Sequence, residues 1–588
     1  MFISHITIKG FRSLGEVDSS LQDYTCLIGK NDCGKSSFLI ALQILFDPTK
    51  TPSSEDICKI PDYGNECFIE ATLKECNGHG DLIINGEIRI RRTFLERASS
   101  WLYLGKVPSS ETLANMSEGN LTKQDFNSDT FLSQQVKDFV NDDIQKKFPS
   151  GRIPKEIWKE IFENLKVKGL VEFKEGWCSL DSGRLSSLVQ VVMLEADVRG
   201  EEEVSDSSQT VFSRVGGLIL REATKNHAGI TTAISNLTQE IQKVSTKNEQ
   251  DEWIISELNH FESLFNDEIK SFDGDVTAHS SLIPPRVPPF DFSVKIEISD
   301  KWITGIGKMG HGLRRSVVFS MLRVHRRLKE QVSSDTEPLS TDFSPLYLFL
   351  VEEPELYLHP QAERRRMREL QELSRLPNAQ VILCTHSAIF ADLSEYKGIL
   401  RLHRQDRGVT SIQGWQGREL EPDDKRTMKL LNLIDANRAA MLFADLVILV
   451  EGQCEKVAIP FLAEKMGIDI TNTEIVDCGG NGSIPTCQQV LEGFGIKYVA
   501  WLDLDEGNKN EREIVQKAKN ICTPSNGRIV ITPGNWEKFN GLGGDKIYSS
   551  WKHFIQDENP PSEQMVARIK AAYNWQEYLT DPVGTNAS

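Results

Sequence analysis

The chain has 588 residues, of which 39% are hydrophobic and 26% charged, a composition typical of a soluble protein too long for a single hydrophobic core. It contains no run of eighteen apolar residues, so no membrane-spanning helix is predicted. The formal charge of −18 argues against a general nucleic-acid coat protein, although local patches and bound metal ions still set the field at a site.

The cysteines and the N-terminus indicate a location. The eleven cysteines form neither C-x-x-C pairs nor clusters with histidine, and several stand in apolar or loop segments. This usage is typical of reduced thiols in a cytoplasm. The first eleven residues alternate apolar and polar side chains like an edge strand and lack the apolar core of a signal peptide. We therefore expect a cytoplasmic protein.

The order of the predicted elements divides the chain. Short strands and one helix fill the first part, with strands at 3–8, 24–28, 67–73 and 87–93 and the helix at 37–46. A polar, mainly helical stretch follows, and a proline-rich hinge at 283–290 ends it. Strands then resume, and a second α/β pattern begins near residue 445. We expect an α/β domain in two parts, 1–95 and 283–417, with a mainly helical insertion at 96–282 between them. A linker at 418–444 and a second α/β domain at 445–588 follow.

A complete phosphate-binding loop lies near the N-terminus. Residues 29–36 read GKNDCGKS, a G-x-x-x-x-G-K-S sequence between a predicted strand and a predicted helix. Backbone N–H groups of such a loop wrap the phosphates, Lys35 would reach the β- and γ-phosphates, and Ser36 would hold Mg²⁺. The sequence therefore predicts a nucleoside triphosphate site. Its contacts would be Gly29, Asn31, Gly34, Lys35, Ser36 and Ser37.

Acidic residues expected beside such a loop follow an apolar run at 346–351. A continuous apolar run predicts a strand buried on both faces. Glu352, directly after it, would hold the Mg²⁺ shell through water, and Glu353 would orient the water that attacks the γ-phosphorus. His386 follows the next predicted strand, VILCT, where it would sense or contact the γ-phosphate.

A glycine-rich turn precedes the acidic strand. Residues 305–315 read GIGKMGHGLRR and lead into a predicted helix. Backbone amides at Gly310 and Gly312 would bind a phosphate, and Arg314 or Arg315 would stabilise the transferred charge. Of the two arginines we choose Arg315 as the nucleotide contact.

These motifs occur in the order seen in ABC-type ATPases of DNA maintenance, which the N-terminal part resembles: ITIKGFRS, the phosphate loop, GHGLRR, VEEPELYLHP and CTHS. The resemblance implies that the glycine-rich signature of one subunit closes over the nucleotide of another, so that two heads pair in response to ATP. The chain departs from the usual signature at Met309, where serine is common, and at Arg314, where glutamine is common. The resemblance therefore leaves the contact between subunits, and the speed of hydrolysis, open.

A second set of carboxylates follows two predicted strands of the C-terminal domain. Glu451 ends an apolar strand at 446–450, and Glu455 lies about one helical turn further on. Asp503 and Asp505 end the strand near 498–502 and project to the same side of an extended chain. Because the ends of parallel strands line one crevice, we expect these four carboxylates to converge. Oxygen ligands of this kind suit Mg²⁺ or Mn²⁺, and two such ions can support phosphodiester cleavage.

The order E-G-x-x-E, glycine turn, DLD resembles a Toprim domain. A Toprim topoisomerase would need a tyrosine in a separate cleavage domain, for which little chain remains, and a Toprim primase usually brings a zinc module, for which there is no cysteine cluster. An ABC-type ATPase joined to a C-terminal Toprim domain resembles the OLD (overcoming lysogenization defect) family of endonucleases over nearly the whole chain. The resemblance implies one further acidic metal ligand, matched here by Glu537, and a catalytic lysine among Lys546, Lys552 and Lys570.

The expected fold is thus an ABC-type ATPase head, split by a helical insertion, followed by a Toprim domain. The expected function is that of an ATP-binding and ATP-hydrolysing, metal-dependent DNA endonuclease, assembled as a dimer or tetramer. Relatives in this family, including Gabija-type and retron-associated effectors, act against phage. Some act alone, some with a helicase-like partner, and some with a retron reverse transcriptase and its RNA–DNA product. The alternatives are an ATP-driven DNA clamp or scaffold with a non-catalytic Toprim domain, and a topoisomerase-like strand passer.

Overall fold

The computed structural model describes residues 1–196, 345–419 and 440–573 with short gaps, together with short pieces between 259 and 320. The gaps are at 61, 64–66, 77–78, 81, 96–97, 119–120, 122, 130–131, 148–152, 406–407, 505–507, 543–549 and 557, and the pieces are 259–260, 263–267, 277–283, 293–299 and 320. Within these ranges no helix is both long and apolar enough to cross a membrane.

An antiparallel sheet of six strands forms the first layer. Its strands, in chain order, are β1 (Phe2–Phe11), β2 (Leu14–Ser20), β4 (Phe68–Lys74), β5 (Glu87–Leu95), β6 (Ala98–Pro108) and β7 (Phe173–Ser179), and they lie in the order β2-β1-β4-β5-β6-β7. The edge-strand expectation for the N-terminus was wrong, because β1 pairs with β2 on one side and with β4 on the other.

A mainly parallel sheet forms the second layer and carries the phosphate loop. Its strands are β3 (Tyr24–Ile28), β8 (Val189–Leu194), β11 (Leu346–Glu352), β12 (Ala379–Cys384), β13 (Ile399–Arg404) and β14 (Thr410–Gln413), in the order β14-β13-β3-β12-β11-β8. Only β14 runs antiparallel to its neighbour. Helix α1 (Lys35–Phe46) packs between the two sheets, since its buried side chains share one hydrophobic cluster with strands of both.

The interval 96–282 contains a small helical unit. Its helices are α2 (Glu111–Glu118), α3 (Lys123–Ser128), α4 (Gln134–Lys147) and α5 (Lys155–Val167), and a separate cluster around Trp158 and Phe126 holds them together. Helix α6 (Ser182–Leu188) then leads into β8. The same interval supplies β6 and β7 to the antiparallel sheet and β8 to the parallel one, so it is less purely helical than expected. Strands β9 (Thr277–Ile283) and β10 (Ser293–Ser299) form a separate antiparallel pair.

The C-terminal domain is built on a parallel sheet of four strands. They are β15 (Leu446–Val450), β16 (Thr473–Asp477), β17 (Lys497–Leu504) and β18 (Gly527–Pro533), in the order β16-β15-β17-β18. The parallel register confirms that β15 and β17 are neighbours whose ends lie at one edge. The helices are α8 (Gln453–Lys465), α9 (Ile484–Gly493), α10 (Lys509–Ile521), α11 (Trp536–Phe539) and α12 (Glu563–Tyr573). Helix α7 (Pro360–Ser374) belongs to the N-terminal domain, and short 3₁₀ or π turns occupy Ser54–Asp56, Leu393–Gly398, Asn481–Ser483 and Trp551–Gln556.

The two α/β domains share one hydrophobic cluster. It joins residues of the parallel sheet, such as Val381 and Leu383, to residues of the C-terminal sheet, such as Val447 and Leu449. Trp415 lies at this junction, with its ring 4.5 Å from that of Tyr396 and 5.4 Å from that of Phe494. Burial of aromatic surface on both sides therefore stabilises the domain contact.

Two candidate active sites

The phosphate loop has the backbone that its sequence predicts. It connects β3 to α1, and α1 begins at Lys35 directly after Gly34, whose φ is 96°. A Cβ atom at Gly34 would lie 2.7 Å from Thr410 Oγ1 and 2.9 Å from Ser13 Oγ, so only glycine fits there. The buried Lys35 donates from Nζ to Gly29 O at 2.9 Å and to Lys30 O at 2.8 Å. The lysine ammonium thus lies inside the loop that would surround a phosphate.

The two expected Mg²⁺ ligands of this loop lie together. Ser36 Oγ donates a hydrogen bond to Glu352 Oε1, and Glu352 Oε2 accepts another from Ala196 N at 3.3 Å. The sheet register explains the proximity, because Glu352 pairs with Cys384 and Cys384 pairs with Leu27 at the end of β3. A hydroxyl and a carboxylate from distant parts of the chain therefore meet at the carboxyl edge of the sheet.

Glu353 and His386 lie side by side at the same edge. His386 Nε2 is 4.0 Å from Glu353 Oε1, and the His386 backbone N–H donates to Glu355 Oε1 at 2.7 Å. Partial burial and the positive charge of Lys35 lower the pKa of His386, against the opposite effect of Glu353. The imidazole is therefore mainly neutral at pH 7, which leaves one ring nitrogen as a donor and the other as an acceptor.

The remaining expected nucleotide contacts are placed only in part. Asn31 is exposed and Ser37 is half-buried within the loop and first turn of α1. Gly310, Gly312 and Arg315, with the unusual Met309 and Arg314, lie outside the described residues.

Two carboxylates of the C-terminal site lie at the start of α8. Glu451 directly follows β15, Gly452 precedes the first helical residue, and Glu455 stands in the first turn. Glu455 is only 5% exposed. Burial and the negative charges of Glu451 and Glu537 raise the pKa of Glu455 to about 7.

Asp503 lies at the end of the neighbouring strand β17 and is only 6% exposed. Burial raises the pKa of Asp503 to about 8, with further contributions from Glu455, Glu451 and Glu537. The hydrogen bond from Trp536 N to Asp503 Oδ2, 2.9 Å long, acts in the opposite direction. Glu537 stands in the short helix α11, which Asn535 caps. Four acids from three separate segments thus interact electrostatically, while Asp505 lies outside the described residues.

The composition of this cluster fits a divalent cation. Buried carboxylates that repel one another are stabilised in their ionised form by a positive charge, and oxygen donors suit Mg²⁺ or Mn²⁺. Within the described ranges, however, no three His, Cys, Asp or Glu side chains already stand at metal-binding geometry. Further oxygen donors would therefore have to complete a coordination shell.

Sequence reasoning missed one polar side chain at this site. Asn481, in the turn after β16, is 8% exposed and donates from Nδ2 to the backbone oxygen of Asp503 at 3.3 Å. Its Oδ1 atom is buried and has no hydrogen-bond partner among the residues that the structure describes. The glycine turn around it was visible in the sequence, but the contact with Asp503 is not. Of the three candidate lysines, Lys552 and Lys570 are exposed, and Lys546 lies outside the described residues.

Comparison with known proteins agrees with both halves of this arrangement. Residues 1–391 match the family described as AAA ATPase domain. The chain belongs to this family. Residues 442–505 match the Toprim domain of overcoming lysogenization defect protein-like proteins, so the predicted OLD-type combination of a P-loop ATPase with a Toprim domain is confirmed.

Similar proteins match this member of the AAA ATPase domain family over most of its length. An OLD nuclease of Thermus scotoductus is 24% identical over 514 residues, covering 87% of this chain and 83% of the relative. An Old nuclease of Escherichia phage P2 is 21% identical over 512 residues, covering 86% and 77%. The solved SMC head domain from Thermotoga maritima matches 70% of this chain and 99% of its own, with 13% identity and a TM-score of 0.29.

Proposed function

We propose that the chain is an ATP-regulated, divalent-metal-dependent DNA endonuclease. One observation carries this proposal: Glu451 and Asp503 lie at the ends of adjacent parallel strands, Glu455 lies in the helical turn after Glu451, and these negative charges raise the pKa values of Glu455 and Asp503. The cluster stands in a domain that matches the OLD-like Toprim family, attached to an AAA ATPase domain. The similar proteins named OLD nuclease support the same activity.

In the N-terminal site, the backbone of the loop and Lys35 would bind the phosphates of ATP. Ser36 and Glu352 would hold Mg²⁺, which neutralises charge on the phosphate oxygens. Glu353 would accept a proton from the attacking water, and the neutral His386 would contact the γ-phosphate. The Ser36–Glu352 hydrogen bond and the 4.0 Å separation of His386 and Glu353 support these roles.

In the C-terminal site, Glu451, Glu455, Asp503, Asp505 and Glu537 would hold Mg²⁺ or Mn²⁺. Such an ion would lower the pKa of a bound water and would stabilise charge at the phosphodiester. The chain's own residues position the ligands: Trp536 N fixes one oxygen of Asp503, and the first turn of α8 presents Glu455.

The wider organisation is part of the same proposal. The division of the chain at 95, 282, 417 and 444 and the cytoplasmic location remain predictions. Gly310, Gly312 and Arg315 would close over the nucleotide of a second copy, giving a homo-oligomer. An anti-phage role, alone or with a helicase-like or retron partner, follows from the OLD-type resemblance.

The test uses supercoiled plasmid, with and without Mg²⁺ or Mn²⁺, and two variants of the full chain. Asp503→Asn should abolish nicking and linearisation while ATP binding persists, because it removes a charged ligand yet keeps an acceptor for Trp536 N. Lys35→Ala should abolish ATP binding in a calorimetric titration. Full cleavage by Asp503→Asn would contradict the nuclease assignment and favour the ATP-driven scaffold. A covalent protein–DNA adduct would favour the strand passer.

A further inference from the structure

The turn that follows β16 touches both strands that carry the acidic cluster. Gly480 N donates to Glu451 O at 2.8 Å, and the next residue, Asn481, donates from its side chain to Asp503 O. The amide of Asn481 therefore lies between the ends of β15 and β17. Its Oδ1 atom is buried and accepts no hydrogen bond from any residue that the structure describes.

The orientation of this amide is fixed by its neighbours. Exchanging its oxygen and nitrogen would place Oδ1 against the backbone oxygen of Asp503, two acceptors in contact, so the hydrogen-bond pattern requires the present orientation. Burying an acceptor without a partner is unfavourable, because its hydrogen bonds to water are lost and not replaced. The carboxylates of the acidic cluster, once ionised, are acceptors only and cannot donate to it. A cation satisfies all of these oxygens together.

We propose that Asn481 Oδ1 is a neutral oxygen ligand of the divalent cation bound by Glu451 and Asp503. The proposal rests on the proposed function of this site. A small, hard cation takes about six oxygen ligands, and carboxylates alone would add a repulsive charge with every ligand. An amide oxygen adds a ligand without adding charge. This role explains a buried, unpartnered oxygen in a domain where the described acids alone do not form a closed metal site.

The test measures metal affinity directly. Nucleotide-free protein is titrated with Mn²⁺ by calorimetry and by the loss of free-ion electron paramagnetic resonance signal. Asn481→Ala should weaken binding by about 10–100-fold, the range found when groups supporting a metal site are removed. Asn481→Asp should stay within about tenfold of the wild-type affinity, because it keeps an oxygen at the same place although it loses the hydrogen bond from Nδ2 to Asp503 O.

Gln488 offers a matched control. It is fully buried, and its Oε1 atom also lacks a partner within the described part of the chain, but its amide faces Tyr498 and Ala518. Gln488→Leu should leave the Mn²⁺ affinity unchanged. An equal loss in Gln488→Leu and Asn481→Ala would overturn the proposal, because it would show a general effect of disturbing this domain.

The outcomes separate this proposal from the function on which it rests. Wild-type affinity in Asn481→Ala, together with lost affinity in Asp503→Asn, would overturn the role of Asn481 alone. Absence of Mn²⁺ binding by the wild-type chain would overturn both. If Asn481→Ala does not fold, judged by circular dichroism, the Asp variant decides: binding weaker than wild type by tenfold or more contradicts an oxygen ligand at this position.

Discussion

At the scale of single residues, the phosphate loop depends on the absence of a side chain at Gly34. The loop packs against the turn at Ser13 and the start of β14 at Thr410, whose backbone and side chains also hydrogen-bond to each other. The N-terminal and C-terminal ends of the ATPase fold thus meet beneath the loop. Its backbone is therefore fixed by tertiary contacts as well as by its own glycines.

We expect Gly34→Ala to abolish ATP binding and to destabilise the protein. The positive φ alone costs a non-glycine residue about 1–2 kcal/mol. The new methyl group would also clash with the side chains of Ser13 and Thr410. Gly86→Ala is the control, since Gly86 has a φ of 85° but a methyl group there would meet no atom within 4 Å. Both variants should show the backbone cost in a urea titration, but only Gly34→Ala should lose nucleotide affinity by calorimetry. Equal effects would contradict the steric argument.

The acidic cluster predicts a pH-dependent stability in the absence of metal. In the folded protein the pKa of Asp503 is about 8 and that of Glu455 about 7, whereas in an unfolded chain both pKa values are about 4. Between these values the folded state retains protons that the unfolded state has released. The free energy of unfolding should therefore fall as pH rises from about 4 to about 8, by at most about 1.4 kcal/mol per pH unit for each group, and then level off.

Urea midpoints measured in EDTA across this pH range test that expectation. Asp503→Asn removes the titrating group and keeps the bond to Trp536 N, so its stability should depend less steeply on pH. Parallel curves for the variant and the wild-type chain would show that Asp503 is ionised in the folded protein. Added Mg²⁺ should raise the free energy of unfolding most at the alkaline end of the range, because it competes with the fewest protons there.

At the scale of elements, short capped segments position the acids. Asn535 accepts a hydrogen bond from Lys538 N at 2.9 Å and so begins α11, which carries Glu537 and also the backbone donor to Asp503 at Trp536. The ring of Trp536 packs against Trp501 of β17, with 6.3 Å between the ring centroids. One four-residue helix thus holds two of the acids in relation to each other.

Asn535→Ala should lower DNA cleavage more than it lowers stability. Loss of an N-cap costs about 1 kcal/mol. Here it would also leave Glu537, and the Trp536 N–H that donates to Asp503, without a fixed orientation. Asp181 caps α6 through Arg184 N at 2.9 Å, far from the acids in the sequence and in another domain, so Asp181→Ala is the control. We expect similar shifts in urea midpoint for both and a loss of plasmid cleavage only for Asn535→Ala. Unchanged cleavage in Asn535→Ala would show that α11 does not position the site.

The elements that could be predicted are those whose signal is local. Strands β3, β11, β12, β15 and β17 are short apolar runs ending in a motif, and the structure places each within two residues of its predicted bounds. Strand β7 is largely exposed and lacks regular alternation, and its partner β6 lies more than sixty residues earlier in the chain. Strand β8 joins the parallel sheet beside β11, which lies about 150 residues later. Pairings of this kind depend on tertiary packing that no local pattern contains.

The same distinction holds at the two sites. Ser36 and Glu352 were predicted as joint ligands because their motifs carry that chemistry, and they touch in the structure. Asn481 was not predicted, because an asparagine in a glycine-rich turn is ordinary turn composition. Only the contact with Asp503 and the buried, unpartnered oxygen distinguish it.

At the scale of the whole molecule, the phosphate loop contacts the Toprim domain directly. Lys30 Nζ lies 2.6 Å from Asp445 Oδ2 and 3.1 Å from Asn472 Oδ1. The backbone oxygen of the same Lys30 accepts a hydrogen bond from Lys35 Nζ. Arg401, on the strand beside β3, donates to Leu442 O and Ala444 O just before β15. The segment that begins β15 is thus held by the loop that would bind ATP.

This contact provides a short route between the two sites. Binding of triphosphate would draw Lys35 Nζ from the backbone oxygen of Lys30 toward the β- and γ-phosphates, and so would alter the loop at Lys30. Asp445 immediately precedes β15, and Glu451 immediately follows it. Because the five residues of β15 are packed in a sheet, a shift at Asp445 would be expected to displace Glu451 as well.

Asp445→Ala should therefore weaken the influence of ATP on DNA cleavage without abolishing either activity. An ion pair this exposed contributes at most about 1 kcal/mol to stability, so the urea midpoint should hardly change. The ratio of cleavage rates with and without saturating ATP should move toward one by at least about fivefold, the lower end of typical coupling between sites. Glu419→Ala is the matched control, because it removes another exposed ion pair, Lys397–Glu419 at 3.0 Å, which joins the ATPase domain to the start of the linker. If Asp445→Ala and Glu419→Ala respond to ATP as the wild-type chain does, the Lys30–Asp445 contact transmits no signal. A lost response in Asp445→Ala alone, with wild-type ATP affinity by calorimetry, would identify this contact as the connection between nucleotide and nuclease.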